Sequence, residues 1–125
     1  MNMIVCVKQV LDPEAPPASF RIDSATNNVV PPAGVPPVIS PFDEQAVEAA
    51  LKIKDAKGGK ITVISLGVNL LRDVVKKPLS MGADELILLE DAAFVDGDSW
   101  STAYALAAAI KKVGQFDIIF CGRQA

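Results

Sequence analysis

The chain has 125 residues, half of them apolar and 22% charged, a balance that suits one domain with a sizeable core and argues against disorder. With a net charge of −3 and a pI near 4.8 it carries no basic cluster, which makes nucleic acid and anionic membrane poor partners. It has no histidine, so the commonest general base and the commonest metal ligand are both missing. The short apolar run at the N-terminus lacks a preceding basic region and does not read as a secretory signal, and no apolar stretch is long enough to span a bilayer. Cys6 and Cys121 make neither a metal-ligand spacing nor a disulfide framework, which points to a reducing cytoplasm.

In chain order, Met3–Val7 is a continuous apolar run rich in β-branched residues and predicts a strand buried on both faces. Residues 12–38 contain seven prolines, which excludes a long helix. Within them, Ser19–Ile22 and Val29–Val30 flank a polar turn, predicting a small β-hairpin at about residues 18–31. Ser40-Pro41-Phe42-Asp43 reads as a helix start, with Ser40 as the cap, Pro41 at the first helical position and Asp43 three residues after the cap. The apolar stripe Phe42, Ala46, Val47, Ala50, Leu51 and Ile53 carries that helix to about Ala56, and Gly58-Gly59 ends it. A second buried strand is predicted at Ile61–Leu66. Leu70, Leu71, Val74, Val75 and Leu79 then repeat at helical spacing, with Pro78 expected to kink or shorten the helix and Gly82 to cap it. Glu85–Leu89 reads as a third strand. Asp96-Gly97-Asp98 reads as a solvated turn that caps a third helix, marked by Trp100, Ala103, Leu106, Ala107 and Ile110. Phe116–Cys121 is the fourth predicted strand. Trp100, Tyr104 and Phe116 are expected in the core rather than stacked on a cofactor.

Alternating strands and helices, with crossovers long enough for parallel pairing, predict a single α/β domain over residues 1–125: an open parallel sheet in a three-layer α/β/α arrangement. Ligands of such sheets sit beyond the carboxyl ends of the strands, where strand order reverses. If the order is 3-2-1-4, the reversal falls between the first and fourth strands, and Cys6 and Cys121 should flank one crevice. The start of the first helix faces the same region. Its own Asp43 and Glu44 satisfy the helix dipole and repel phosphate, so its contacts to a nucleotide are expected elsewhere than at phosphate. Neither a G-x-x-x-x-G-K-[ST] loop nor a G-x-G-x-x-G turn after a strand is present. Lys8, Lys76-Lys77 and Lys111-Lys112 read as solvated charges.

Four segments, in order along nearly the whole chain, resemble the electron transfer flavoprotein beta subunits: Met3–Val10 (M-I-V-C-V-K-Q-V), Ser40-Pro41-Phe42-Asp43 with Ala46–Ala50, Ser80-Met81-Gly82-Ala83-Asp84-Glu85, and Cys121-Gly122-Arg123-Gln124-Ala125. The resemblance implies a Rossmann-like fold of the adenine nucleotide alpha-hydrolase type. It also implies an AMP, or a second FAD, held in this subunit, and pairing with an alpha subunit that carries the redox-active FAD. Electrons would then pass from flavin dehydrogenases to an acceptor, with no covalent catalysis by this chain. Carried over by position, the nucleotide contacts fall on Cys6, on Ser40, Pro41, Phe42 and Asp43, on Leu66, and on the turn Gly122, Arg123, Gln124 and Ala125. Ser40 stands where the family has asparagine, and Pro78 where it continues a helix. Family beta subunits are longer, so the chain is expected to be the N-terminal part of one. Two rivals share the broad fold. An ATP-using enzyme needs an S-G-G-x-D-S type loop after the first strand, where this chain has Lys8-Gln9-Val10-Leu11-Asp12. A universal-stress type nucleotide-binding module without a redox role needs a glycine-rich phosphate loop further along.

Overall fold

The computed structural model describes residues 1–125. Its centre is a four-stranded parallel sheet of β1 (Asn2–Val7), β6 (Lys60–Gly67), β7 (Glu85–Glu90) and β8 (Ile118–Cys121), in the spatial order β7-β6-β1-β8. This is the predicted 3-2-1-4 order, and the reversal lies between β1 and β8. Register is set by direct opposition of apolar pairs, Met3 with Ile61 and Val5 with Val63 on one side, Val5 with Phe120 on the other.

β1 and β6 are buried on both faces, as their largely apolar runs require, β6 also burying Thr62 and Ser65. On one face Met3, Val5, Val7, Ile61 and Val63 pack against Ala46, Val47 and Ala50 of α1 (Pro41–Lys57) and against Val75. On the other face Ile4 and Ile64 meet Ile110 of α4 (Ser99–Val113), with Leu106 and Val113 beside them. Helices therefore cover both faces, giving the three layers.

The connections follow local chemistry. Pro78 divides the predicted second helix into α2 (Arg72–Val75) and α3 (Lys77–Met81), and takes a place in the first turn of α3, where its missing N–H is harmless. Gly82, at φ 127°, closes α3 in a conformation open only to glycine without strain. The proline-rich excursion contains the predicted hairpin, β3 (Arg21–Asp23) against β4 (Asn28–Val30). A second pairing, β2 (Gln9–Val10) with β5 (Val38–Ile39), closes the excursion at its base. These two-residue strands leave no periodic trace in the sequence. Their effect is to return the chain to the tip of β1, where the Ser40 N–H donates to the Lys8 carbonyl at 2.9 Å.

Carboxylates pin the lower ends of the strands. Asp84, just before β7, accepts from the Ile61 N–H at 2.8 Å and from Lys54 Nζ at 2.7 Å. Asp117, just before β8, accepts from the Asn2 N–H at 2.6 Å.

Three expectations are corrected. Trp100 and Tyr104 are not core residues: they are 76% and 72% exposed, and Phe116 is 39% exposed. α4 carries alanines on several sides, so its composition does not fix which side turns inward. Leu106, Ile110 and Val113 win that contest, and Trp100, Ala103 and Ala107 face outward. The last strand begins at Ile118 rather than Phe116. Finally, Ser40 occupies the N-cap position without a capping hydrogen bond from its side chain. Its carbonyl accepts from the Asp43 and Glu44 N–H groups, while its hydroxyl donates to the Gln124 carbonyl at 3.3 Å.

Candidate functional site

The carboxyl ends of β1, β6 and β8 open into a cleft of about 450 Å³, within the range of small-molecule sites. Its floor is the strand reversal. Cys6 and Cys121 are directly opposed across the β1–β8 ladder, and both line the cleft. β6 contributes Leu66 and Gly67. The far wall comes from Phe94, Gly97 and the α4 residues Thr102 and Leu106.

Asp43 ties this end of the molecule together. It lies in the first turn of α1 and is almost wholly buried. Its Oδ2 accepts from the Lys8 N–H at 2.8 Å and its Oδ1 from the Gly122 N–H at 3.2 Å. One carboxylate thus bridges the chain as it leaves β1 and as it leaves β8. Glycine is required at 122 by this approach, since a Cβ there would sit 2.7 Å from the Phe42 carbonyl carbon and 2.8 Å from the Asp43 nitrogen. Burial pushes the Asp43 carboxyl upward, and the two N–H donors and the Lys8 charge oppose that shift. Glu44, its neighbour, pairs with Lys77 Nζ at 2.6 Å instead of entering the cleft.

Cys6 is half-buried, and its thiol is pushed up to about 12. Burial is the largest cause; the charge and hydrogen-bonding contact of Cys121 come next, then the Asp43 carboxylate. Cys121 is exposed.

Of the residues singled out from sequence, Cys6, Asp43, Leu66, Gly122, Gln124 and Ala125 line the cleft. Ser40 is buried behind it, and Pro41, Phe42 and Arg123 are outside its lining. Lys8 is exposed at the rim, and the Asp96-Gly97-Asp98 turn is the solvated cap it was read to be, Asp98 accepting from the Ser101 N–H at 2.8 Å. Phe94, Thr102 and Leu106 were not anticipated. The signal that could have found them is the same carboxyl-end rule applied to β7, because the chain leaving that strand must pass over the reversal to reach β8.

Comparison with known proteins points to one family. The Electron transfer flavoprotein domain matches residues 28–125. The chain belongs to the electron transfer flavoprotein domain family. Over its whole length it is 47% identical to the electron transfer flavoprotein subunit beta of Megasphaera elsdenii and 46% identical to that of Thermoanaerobacterium thermosaccharolyticum, covering 47% and 46% of those proteins. It is 41% identical to protein FixA of Azorhizobium caulinodans, with 99% of this chain and 44% of that protein aligned. The chain therefore spans about half the length of the curated relatives it matches. The four-motif resemblance and the Rossmann-like fold expected for this flavoprotein family agree with these matches and with the observed sheet. No helix is long and apolar enough to cross a membrane.

Proposed function

We propose that this chain is the nucleotide-binding N-terminal domain of an electron transfer flavoprotein beta subunit, and that its cleft holds the adenylate part of AMP or FAD. The observation that carries this reading is the meeting of Cys6, Leu66 and Gly122 around one cleft at the strand reversal. The walls suit the ligand. Leu66, Leu106 and Phe94 offer apolar surface to a purine, Thr102 and the main chain around Gly122 offer polar edges, and Lys8 stands at the rim toward a phosphate. Asp43 acts by position: it consumes the Lys8 and Gly122 N–H groups and fixes the turn over which Gly122, Arg123, Gln124 and Ala125 run. Ser40 supports that turn through the Gln124 carbonyl, and Pro41 and Phe42 set the α1 start against which Gly122 packs.

In this reading the bound nucleotide supports assembly with an alpha subunit that carries the redox-active FAD. Flavin dehydrogenases supply the electrons, and this chain moves no covalent bond. The cytoplasm is its compartment. Equilibrium titration with AMP, ATP and FAD tests the proposal. Saturable binding of AMP or FAD, weakened at least tenfold in Gly122→Ala and without hydrolysis of ATP, is the expected result. ATP turnover, or binding indifferent to Gly122→Ala, would move the protein to another class of the fold.

A further inference from the structure

We propose that Cys6 and Cys121 form a redox-active dithiol site on the cleft floor, closed to an intramolecular disulfide by low-molecular-weight disulfides such as oxidised glutathione. The two residues face each other in register on adjacent parallel strands, so their side chains leave the same face of the sheet. The strand spacing of about 4.8 Å falls inside the roughly 4.4–6.8 Å Cα separation that a disulfide spans. Both thiols line the cleft, one half-buried and one exposed, so a small oxidant can reach the pair from solvent.

The asymmetry sets the order of events. Cys121 is the accessible thiol and attacks first. Its thiolate displaces one thiolate from the small disulfide and forms a mixed disulfide at Cys121. Cys6 is held protonated by burial, by the adjoining Cys121 and by Asp43. In the mixed disulfide the Cys121 sulfur stands opposite Cys6 across the ladder. The Cys6 thiolate then attacks Cys121 Sγ and expels the second small thiolate. The two protein thiols lose two electrons, one small disulfide becomes two thiols, and the two thiol protons pass to the leaving thiolates. In a reducing compartment the dithiol is the resting form and the disulfide is transient.

The site stands apart from the nucleotide reading, because thiol state is measured without any nucleotide. The reduced protein is incubated in a graded series of glutathione redox buffers, quenched in acid, alkylated and weighed intact. The expected product is a monomer lighter by two hydrogens, with Cys6 and Cys121 joined in one peptide pair and both thiols restored by dithiothreitol. Cys6→Ser should stall at a single glutathione adduct on Cys121. Cys121→Ser should take up glutathione roughly tenfold more slowly or worse, since the remaining thiol is the buried one. Accumulation of a Cys121 adduct that never closes in the wild type, adducts on both residues, or a Cys121-linked dimer would each overturn the proposal.

Discussion

The two faces of the central sheet are built from the same strands yet are closed to different degrees. Against α1, twelve buried residues form one continuous cluster, and Ile61, Val63 and Val47 are wholly inaccessible. Against α4, the buried cluster is three residues, Trp100 and Tyr104 stand in solvent, and the edge strand β8 leaves Ile119 partly exposed. The lesson is that β1, β6 and α1 bury most of the apolar core of this chain, whereas α4 and β8 leave more of their surface open beside the cleft. Burial scales with apolar area removed from water, and the α4 face removes much less of it.

This contrast can be broken or sharpened by substitution. The largest effect belongs to the α1 face: Ile61→Ala should lower the unfolding free energy by about 2–5 kcal/mol, whereas Ile119→Ala, at a residue 40% exposed, should stay below about 1 kcal/mol. Urea denaturation of both variants checks this, and comparable losses would refute the division of labour. Next comes Gly122→Ala, where the added methyl must push the β8 turn off the α1 start. A loss of about 1–3 kcal/mol is expected from overpacking, together with the weakened nucleotide binding described above.

Asp43→Asn should cost a similar or slightly smaller amount, about 1–3 kcal/mol, because an amide oxygen can accept from only one of the Lys8 and Gly122 N–H groups at the present geometry. Its pH dependence gives a second reading. The folded Asp43 carboxyl lies above its ordinary value of 3.8, so the folded state binds its proton more readily than the unfolded state. Stability from this group is fully present below pH 3.8 and declines as pH rises through the raised folded value. The stability gap between wild type and Asp43→Asn should therefore narrow on going from acid to neutral pH, as measured by parallel denaturation series. A gap that widens would mean that the hydrogen bonds to Lys8 and Gly122 outweigh burial. The smallest effect is at Trp100: Trp100→Ser should change stability by less than about 0.5 kcal/mol, since the ring contributes little to the core.

Much of the fold was legible because the inner strands are mostly apolar and rich in β-branched residues. Met3–Val7 and Ile61–Leu66 could hardly be anything but buried strands, and the Ser40-Pro41 start and the Gly82 stop bracket their helices by steric rule. The hairpin around residues 18–31 was legible from its polar turn. The β2–β5 pairing was not, because two residues a side carry no period. The orientation of α4 was not either: with alanine on several sides, hydrophobic spacing is satisfied by more than one rotation, and the larger side chains misled. At the cleft, the carboxyl-end rule anticipated Cys6 and Cys121, and the family resemblance pointed to Leu66 and Gly122, which line the same cleft. It did not disclose that Asp43 would turn away from its own helix cap to bind two distant main-chain N–H groups, a contact between residues 35 and 79 positions apart.

The sequence by itself determined the main strands and helices and that the sheet is parallel, because those depend on local sterics and on the period of apolar residues. Only the tertiary structure decided that one buried carboxylate clasps the ends of two strands, that β2 and β5 pair at the base of the excursion, and that α4 turns its aromatic residues outward. Those outcomes depend on which distant groups compete for the same space and the same hydrogen-bond partners, and no local pattern in the chain encodes that competition.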